Sequence, residues 1–228
     1  MNDRKRIVAV AAHPDDETAF AGGMLARYAA EGNEVWIVAV TRGEGGEVGD
    51  PPLCGEAELG VIREAELRAA AAALGARDVV FLGFVDPRIP VGAEGRPIDA
   101  TLAELAAALH AALARLQPDI VLSHGSNGEY GHPQHIFTHQ AVRSVLDQWT
   151  GSPPPTLLTW CATHPGQENE RLMNRDDPAD LIVDVTPWLE RKLAALACHQ
   201  TQLAMIRRNS KEQDLEKIVL RMESFRRW

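Results

Sequence analysis

The chain has 228 residues, 45% of them hydrophobic, a formal charge of −9 and three cysteines. Its apolar content suffices for one large domain, and the acidic balance, relieved only by short arginine pairs, excludes nucleic acid as the main partner, because phosphate neutralisation needs clustered Lys and Arg. No apolar run approaches the roughly 18 residues of a membrane span, and Cys54, Cys161 and Cys198, without any Cys-x-x-Cys, are expected to be reduced thiols of a cytoplasmic protein.

Residues 1–6 lead directly into the apolar run Ile7–Ala11. A signal peptide would remove both that run and the motif behind it, so the chain is read as unprocessed. Apolar runs predict strands near 6–12, 34–41, 78–82, 119–123, 156–161 and 181–185. Between them, helical periodicity predicts helices near 17–31, 58–74, 101–116, 134–148, 187–208 and 211–224. The clearest is 58–74, where Leu59, Ile62, Leu67 and Leu74 interleave with Arg and Glu. Gly32 and Gly75 sit where helix C-caps belong. The alternation implies an α/β fold, a Rossmann-like three-layer sandwich with a mostly parallel sheet and helices on both faces. The expectation is one domain over 1–228, with a helical C-terminal segment from about 187. Long loops over 42–57, 83–98 and 124–132 all follow predicted strands, which gathers them on one face of the sheet.

The first loop carries the chemistry. His13-Pro14-Asp15-Asp16-Glu17 lies at the carboxyl end of the first strand, where open α/β sheets bind ligands. An imidazole and a nearby carboxylate can share a metal such as Zn²⁺, and a second carboxylate can accept a proton from metal-activated water. A helix-capping Asp explains one acid here but not the whole cluster. The glycines of Gly43-Glu44-Gly45-Gly46 make a poor dinucleotide fingerprint, since that motif belongs at the first strand–helix turn. After the fourth strand, Tyr130-Gly131-His132-Pro133-Gln134-His135 opens another helix, with Pro133 suited to its first position. By spacing alone, either His132–His135 or His135–His139 can bind a metal.

Together these motifs resemble the PIG-L/LmbE family of zinc-dependent N-acetylglucosamine deacetylases. Weaker support comes from Thr41-Arg42-Gly43-Glu44, Arg63-Glu64-Ala65-Glu66 and Lys192…His199-Gln200-Thr201-Gln202. The resemblance implies that His13, Asp16 and His135 ligate Zn²⁺, with Fe²⁺ an alternative. It implies Asp15 as general base and His132 as oxyanion donor or proton donor to the leaving amine. Tyr130 matches a mobile aromatic near the carbonyl oxygen, and Arg63 a substrate-binding arginine; Glu44 is a candidate for sugar hydroxyls. Gln134 stands where the family often has an acid, a departure that touches no expected ligand. His124 ends the fourth strand near the site, and His199 matches a late family histidine or anchors the C-terminal helix. His139 suits packing or a supporting contact.

The expected activity is removal of acetate from a small molecule containing N-acetylglucosamine, by a homo-oligomer with neither nucleic-acid nor membrane partners. The alternatives are an amidase acting on a glucosaminyl thiol conjugate and a non-catalytic zinc- or sugar-binding module. An intact Asp15 speaks against the module, and the missing glycine fingerprint against a nucleotide-binding protein.

Overall fold

The computed structural model describes residues 4–88, 97–167 and 169–228. The elements run β1 (Arg6–Ala11), α1 (Asp16–Ala30), β2 (Glu34–Thr41), α2 (Leu59–Leu74), β3 (Asp78–Phe84), α3 (Leu102–Leu116) and β4 (Ile120–Ser123). There follow α4 (Gly128–Gly131), α5 (Pro133–Asp147), β5 (Thr156–Trp160), β6 (Ala162–Thr163), β7 (Asn174–Pro178) and β8 (Leu181–Asp184). The chain ends with α6 (Leu189–Cys198), α7 (Gln200–Ser210), α8 (Leu215–Ile218) and β9 (Met222–Arg227).

Seven strands form one sheet in the order β3-β2-β1-β4-β5-β9-β8, and β6 pairs with β7 apart from it. The first five are mutually parallel. Strand β1 is buried along Ile7–Ala11 because it has helices above and below, which is why it reads as a continuous apolar run. Leu25, Leu67 and Ala195, from α1, α2 and α6, pack on one face of the sheet. Leu105, Leu109 and Val142, from α3 and α5, pack on the other. Two local signals act as expected, Pro133 opening α5 and Gly75 ending α2 at φ 83°, and Thr101 and Glu104 form a capping box on α3. No described helix is long and apolar enough to cross a membrane, and the three cysteines are unpaired.

Two expectations fail at the C-terminal end. The helix predicted over 187–208 breaks at His199, whose φ/ψ of −80°/56° is non-helical. Only residues 215–218 of the helix predicted over 211–224 are helical. Met222–Arg227 instead forms β9, antiparallel to both β5 and β8. Partners outside the segment decide this: Phe225 is buried opposite Trp160, and Glu223 is buried against Lys192. Of the predicted loop 83–98, residues 89–96 lie outside the described residues.

Chain order turns back on itself between β1 and β4: β2 and β3 lie to one side of β1, β4 and β5 to the other. Such a reversal leaves a crevice beyond the carboxyl ends of the two strands. His13 follows β1 there, and His124 follows β4.

Candidate metal centre

Asp16 is the first residue of α1, where the helix dipole favours an anion. Its Oδ2 accepts the His13 backbone N–H at 2.8 Å. Asp15 adopts φ 110°, a left-handed conformation that costs a non-glycine residue about 1–3 kcal/mol. Its side chain makes no cap hydrogen bond; it lies 3.3 Å from Arg63 Nη2 instead. Burial lifts the Asp15 carboxyl to about 6, more than the nearby Arg63 lowers it.

Two carboxylates fix how the imidazoles face Asp16. Glu129 Oε2 accepts from Nδ1 of both His135 (2.6 Å) and His124 (2.9 Å). The Nε2 of His135 therefore carries a lone pair; it is buried without a hydrogen-bond partner, 3.2 Å from Asp16 Oδ1. On the other side, Asp86 accepts from Gln134 Nε2 at 2.6 Å, which aims Gln134 Oε1 at His13 Nε2, also at 2.6 Å. That ring nitrogen must donate, so the Nδ1 of His13 keeps its lone pair, 3.3 Å from Asp16 Oδ2. Acceptors thus face acceptors across Asp16, an arrangement that a bound cation would satisfy. Carboxylates or amides behind histidine ligands set tautomer and orientation in this way.

The electrostatics agree. Burial opposes charge on Asp16, yet His135, His124 and His13 hold its carboxyl well below the usual range. Burial likewise opposes protonation of His13 and His135, and Asp16 outweighs it and raises both. A divalent cation would feel the same attraction. Among the described residues, His13, Asp16 and His135 bring ligand atoms within 4.8 Å of one another, and so do His124, Glu129 and His135. Only the first set leaves lone pairs unused. In the second, Glu129 already accepts from both rings, and His124 Nε2 accepts the Ala12 N–H at 3.0 Å.

A family model described as GlcNAc-PI de-N-acetylase, PIG-L, matches residues 8–146, spanning both motifs. The chain belongs to the PIG-L family. Among its relatives, the 1D-myo-inositol 2-acetamido-2-deoxy-alpha-D-glucopyranoside deacetylase of Mycolicibacterium gilvum is 33% identical, over 88% of this chain and 81% of its own. The N,N'-diacetylchitobiose deacetylase of Pyrococcus horikoshii shares the fold, at 22% identity and a TM-score of 0.71, over 99% of this chain and 84% of its own. The 4-carboxy-2-hydroxymuconate hydratase GalB of Pseudomonas putida KT2440 is 25% identical with a TM-score of 0.64, over 98% and 95% of the two chains.

The other expected residues of this PIG-L chain surround the cluster. The His132 ring stacks on His135, with centroids 4.4 Å apart, and meets His13 edge-on at 5.0 Å. Its Nδ1 is buried without a partner, and burial, reinforced by His135 and His13, lowers the ring to about 3. Tyr130 lies edge-on to both His132 and His135, and is 54% exposed, so its far side is open. It lines a cleft of about 540 Å³ with Ser126, Ile136, Met173, Arg171 and Arg175.

Arg63 is buried, and its Nη atoms donate to Gly43 O, Pro14 O and Asp15. It braces the motif from behind. A Cβ on Gly43 would fall 2.0 Å from Arg63 Nη1, which explains the glycine. Glu44 accepts from the Asp86 backbone N–H at 3.0 Å, tying together the loops after β2 and β3. His199 is buried 3.4 Å from Thr18 Oγ1; burial, then Arg63, lowers it to about 3 and keeps it neutral. His139 Nδ1 donates to His124 O at 2.9 Å, and the ring packs beside Trp228.

Glu129 and Asp86 have no role in the sequence reading, and Gln134 enters it only as a departure without consequence. The one signal for Glu129 is its place between two glycines, Gly128 and Gly131, in a loop joining a strand to a histidine-bearing helix.

Proposed function

We propose that the chain is a metal-dependent N-deacetylase that hydrolyses the acetamide of a small molecule containing N-acetylglucosamine, with zinc held by His13, Asp16 and His135. The observation that carries this reading is the pair of imidazole lone pairs turned on Asp16, with a second carboxylate, Asp15, beside them. Two nitrogens and one oxygen suit zinc and leave positions open for reactants. Bound there, zinc supplies Lewis acidity toward the amide oxygen and toward water.

The residues of the chain do the rest. Asp15, lifted toward neutrality by burial and braced by Arg63, takes the proton of the attacking water. His132 and Tyr130 donate to the oxygen that gains charge as the carbonyl carbon becomes tetrahedral. When the C–N bond breaks, the proton held by Asp15 or a hydrogen-bonded neighbour passes to the amine, and acetate and the free amine leave. The cleft beside Tyr130 offers room for the rest of the amino sugar. Identity to the inositol-linked deacetylase favours deacetylation over the hydration performed by GalB on a related scaffold. Three unpaired thiols suit a cytoplasmic enzyme.

The test is amine release by zinc-loaded protein from N-acetylglucosaminyl inositol, diacetylchitobiose and N-acetylglucosamine. Release from at least one is expected; release from none, by protein that holds its zinc, overturns the deacetylase reading.

A further inference from the structure

Glu129 orients His135, yet its own backbone is strained, at φ 60° and ψ −58°. A residue held there costs about 1–3 kcal/mol and persists only where its surroundings impose it. The main constraint is Asn174, a fully buried residue on β7, 45 positions downstream. Its Oδ1 accepts from the Glu129 backbone N–H at 3.1 Å and from Asn127 N–H at 3.0 Å. Its Nδ2 donates to Glu129 Oε1 at 3.2 Å and to Trp160 O at 2.9 Å. Asn174 therefore grips Glu129 by backbone and carboxylate at once, and all four of its amide hydrogen-bonding positions are in use. Glu129 Oε1 also accepts from Gly125 N–H, which leaves Oε2 to the two histidines. Gly125 makes this possible, since a Cβ there would lie 2.1 Å from Asn174 Cγ.

We propose that Asn174 is a positioning residue of the metal site, setting Glu129 and, through it, the lone pair that His135 turns toward Asp16. The proposal rests on the reading of His13, Asp16 and His135 as that site. An amide is required at this position. Aspartate would keep the acceptor for the two backbone N–H groups but lose the donor to Glu129, placing a second anion beside a buried carboxylate.

The same loop has an independent clamp: Asp177 accepts from Ser126 N and Ser126 Oγ, both at 2.7 Å, without touching Glu129. That clamp separates positioning from mere loop stability. Apo wild type, Asn174→Ala, Asn174→Asp, Gly125→Ala, Gly125→Ala/Asn174→Ala and Asp177→Ala are each titrated with Zn²⁺ against a chromophoric chelator. Their Co²⁺ absorption spectra and apo melting curves are recorded alongside.

Asn174→Ala and Asn174→Asp are expected to weaken Zn²⁺ by about tenfold or more and to alter the Co²⁺ spectrum, as loss of outer supports does elsewhere. Gly125→Ala should weaken it comparably, and add nothing once Asn174 is alanine. Asp177→Ala should lower the apo melting temperature but keep Zn²⁺ affinity within about twofold, well short of the loss expected on removing an outer support. Wild-type affinity in both Asn174 variants overturns the proposal, and so does an Asp177→Ala loss as large as theirs. If Asn174→Ala does not fold, the aspartate and Gly125 variants decide. Failure of wild type itself to bind Zn²⁺ sinks the metal-site reading, an outcome distinct from both.

Discussion

Two buried charge clusters lean on helix α1, and they are built on different terms. Midway along it, Glu223 of β9 accepts from Gly23 N and Met24 N at 2.8 Å each and from Lys192 Nζ at 2.7 Å, while Lys192 also donates to Leu220 O. Neither side chain has a buried polar atom without a partner. At the start of the same helix, Asp16 faces imidazole lone pairs, His135 Nε2 has no partner, and the backbone is strained at Asp15 and Glu129. Both clusters are largely hidden from water, the first fully and the second with Asp15 half-buried. The difference lies in completion: the first closes on itself and joins α1, α6 and β9, whereas the second turns lone pairs on a carboxylate, which the proposed cation would satisfy. Buried polar groups left unmatched in a native fold call for such an explanation.

If that contrast is right, disabling each cluster should damage a different property. The largest effect is expected from Asp15→Asn, which removes the proposed base but keeps the shape. Amine release should fall by about 10²–10⁴-fold, with zinc content and melting temperature close to wild type. Full turnover by this variant would remove Asp15 from the mechanism. Lys192→Met should do the reverse. Leaving Glu223 as an uncompensated buried charge costs about 3–5 kcal/mol, or a melting temperature lower by about 10 °C in a chain of this size. Turnover of the protein still folded at lower temperature should be nearly unchanged. A melting temperature like that of wild type would mean the ion pair is not buried as described.

Metal removal should come next in size. A ligand present at a hundredfold excess over its dissociation constant adds about 2.7 kcal/mol of stability. Chelation should therefore lower the melting temperature by several degrees and abolish amine release, and zinc should restore both. In Lys192→Met the chelation shift should be the same size, because separate sites without shared partners add. A larger or smaller shift would show that the two clusters communicate through α1.

How far each region could be read from sequence follows the same division. Strands β1, β2, β4 and β5 are legible because burial on both faces demands apolar runs such as Ile7–Ala11. The histidines and aspartates of the site stood out because each set is local, on one strand–helix turn. By contrast, Glu223-Ser224-Phe225 carries no strand pattern of its own; its burial is imposed by Lys192 and Trp160, far away in the chain. The break at His199 likewise coincides with the burial of its ring beside Thr18, inside a stretch whose periodicity continues through it. Glu129, Asp86 and Asn174 are polar residues in a single irregular helical turn, a loop and a short strand, and in sequence they cannot be told from a solvated surface. Gln134 shows the cost of reading position by position: not being an expected ligand, it looked neutral, yet its amide sets the tautomer of His13.

The smallest effect is expected at Glu44, where the two kinds of site meet. As a sugar ligand it would belong with the unfinished cluster, but its surroundings resemble the finished one. Its Oε2 accepts from Asp86 N, Gly45 N donates back to Asp86 Oδ2, and Gly60 leaves it room, since a Cβ there would lie 2.8 Å from Glu44 Cγ. Asp86 in turn holds Gln134, and Gln134 holds His13. Glu44→Gln keeps an acceptor for Asp86 N and loses only the charge, so the expected cost is about 1 kcal/mol of stability. Any disturbance must pass through Asp86 and Gln134 before it reaches His13, so zinc affinity and KM should stay within about threefold of wild type, the size of a lost fraction of one hydrogen bond. A KM raised by more than about tenfold at unchanged zinc affinity would instead place Glu44 on the sugar, because a lost charged hydrogen bond to a ligand is worth that much.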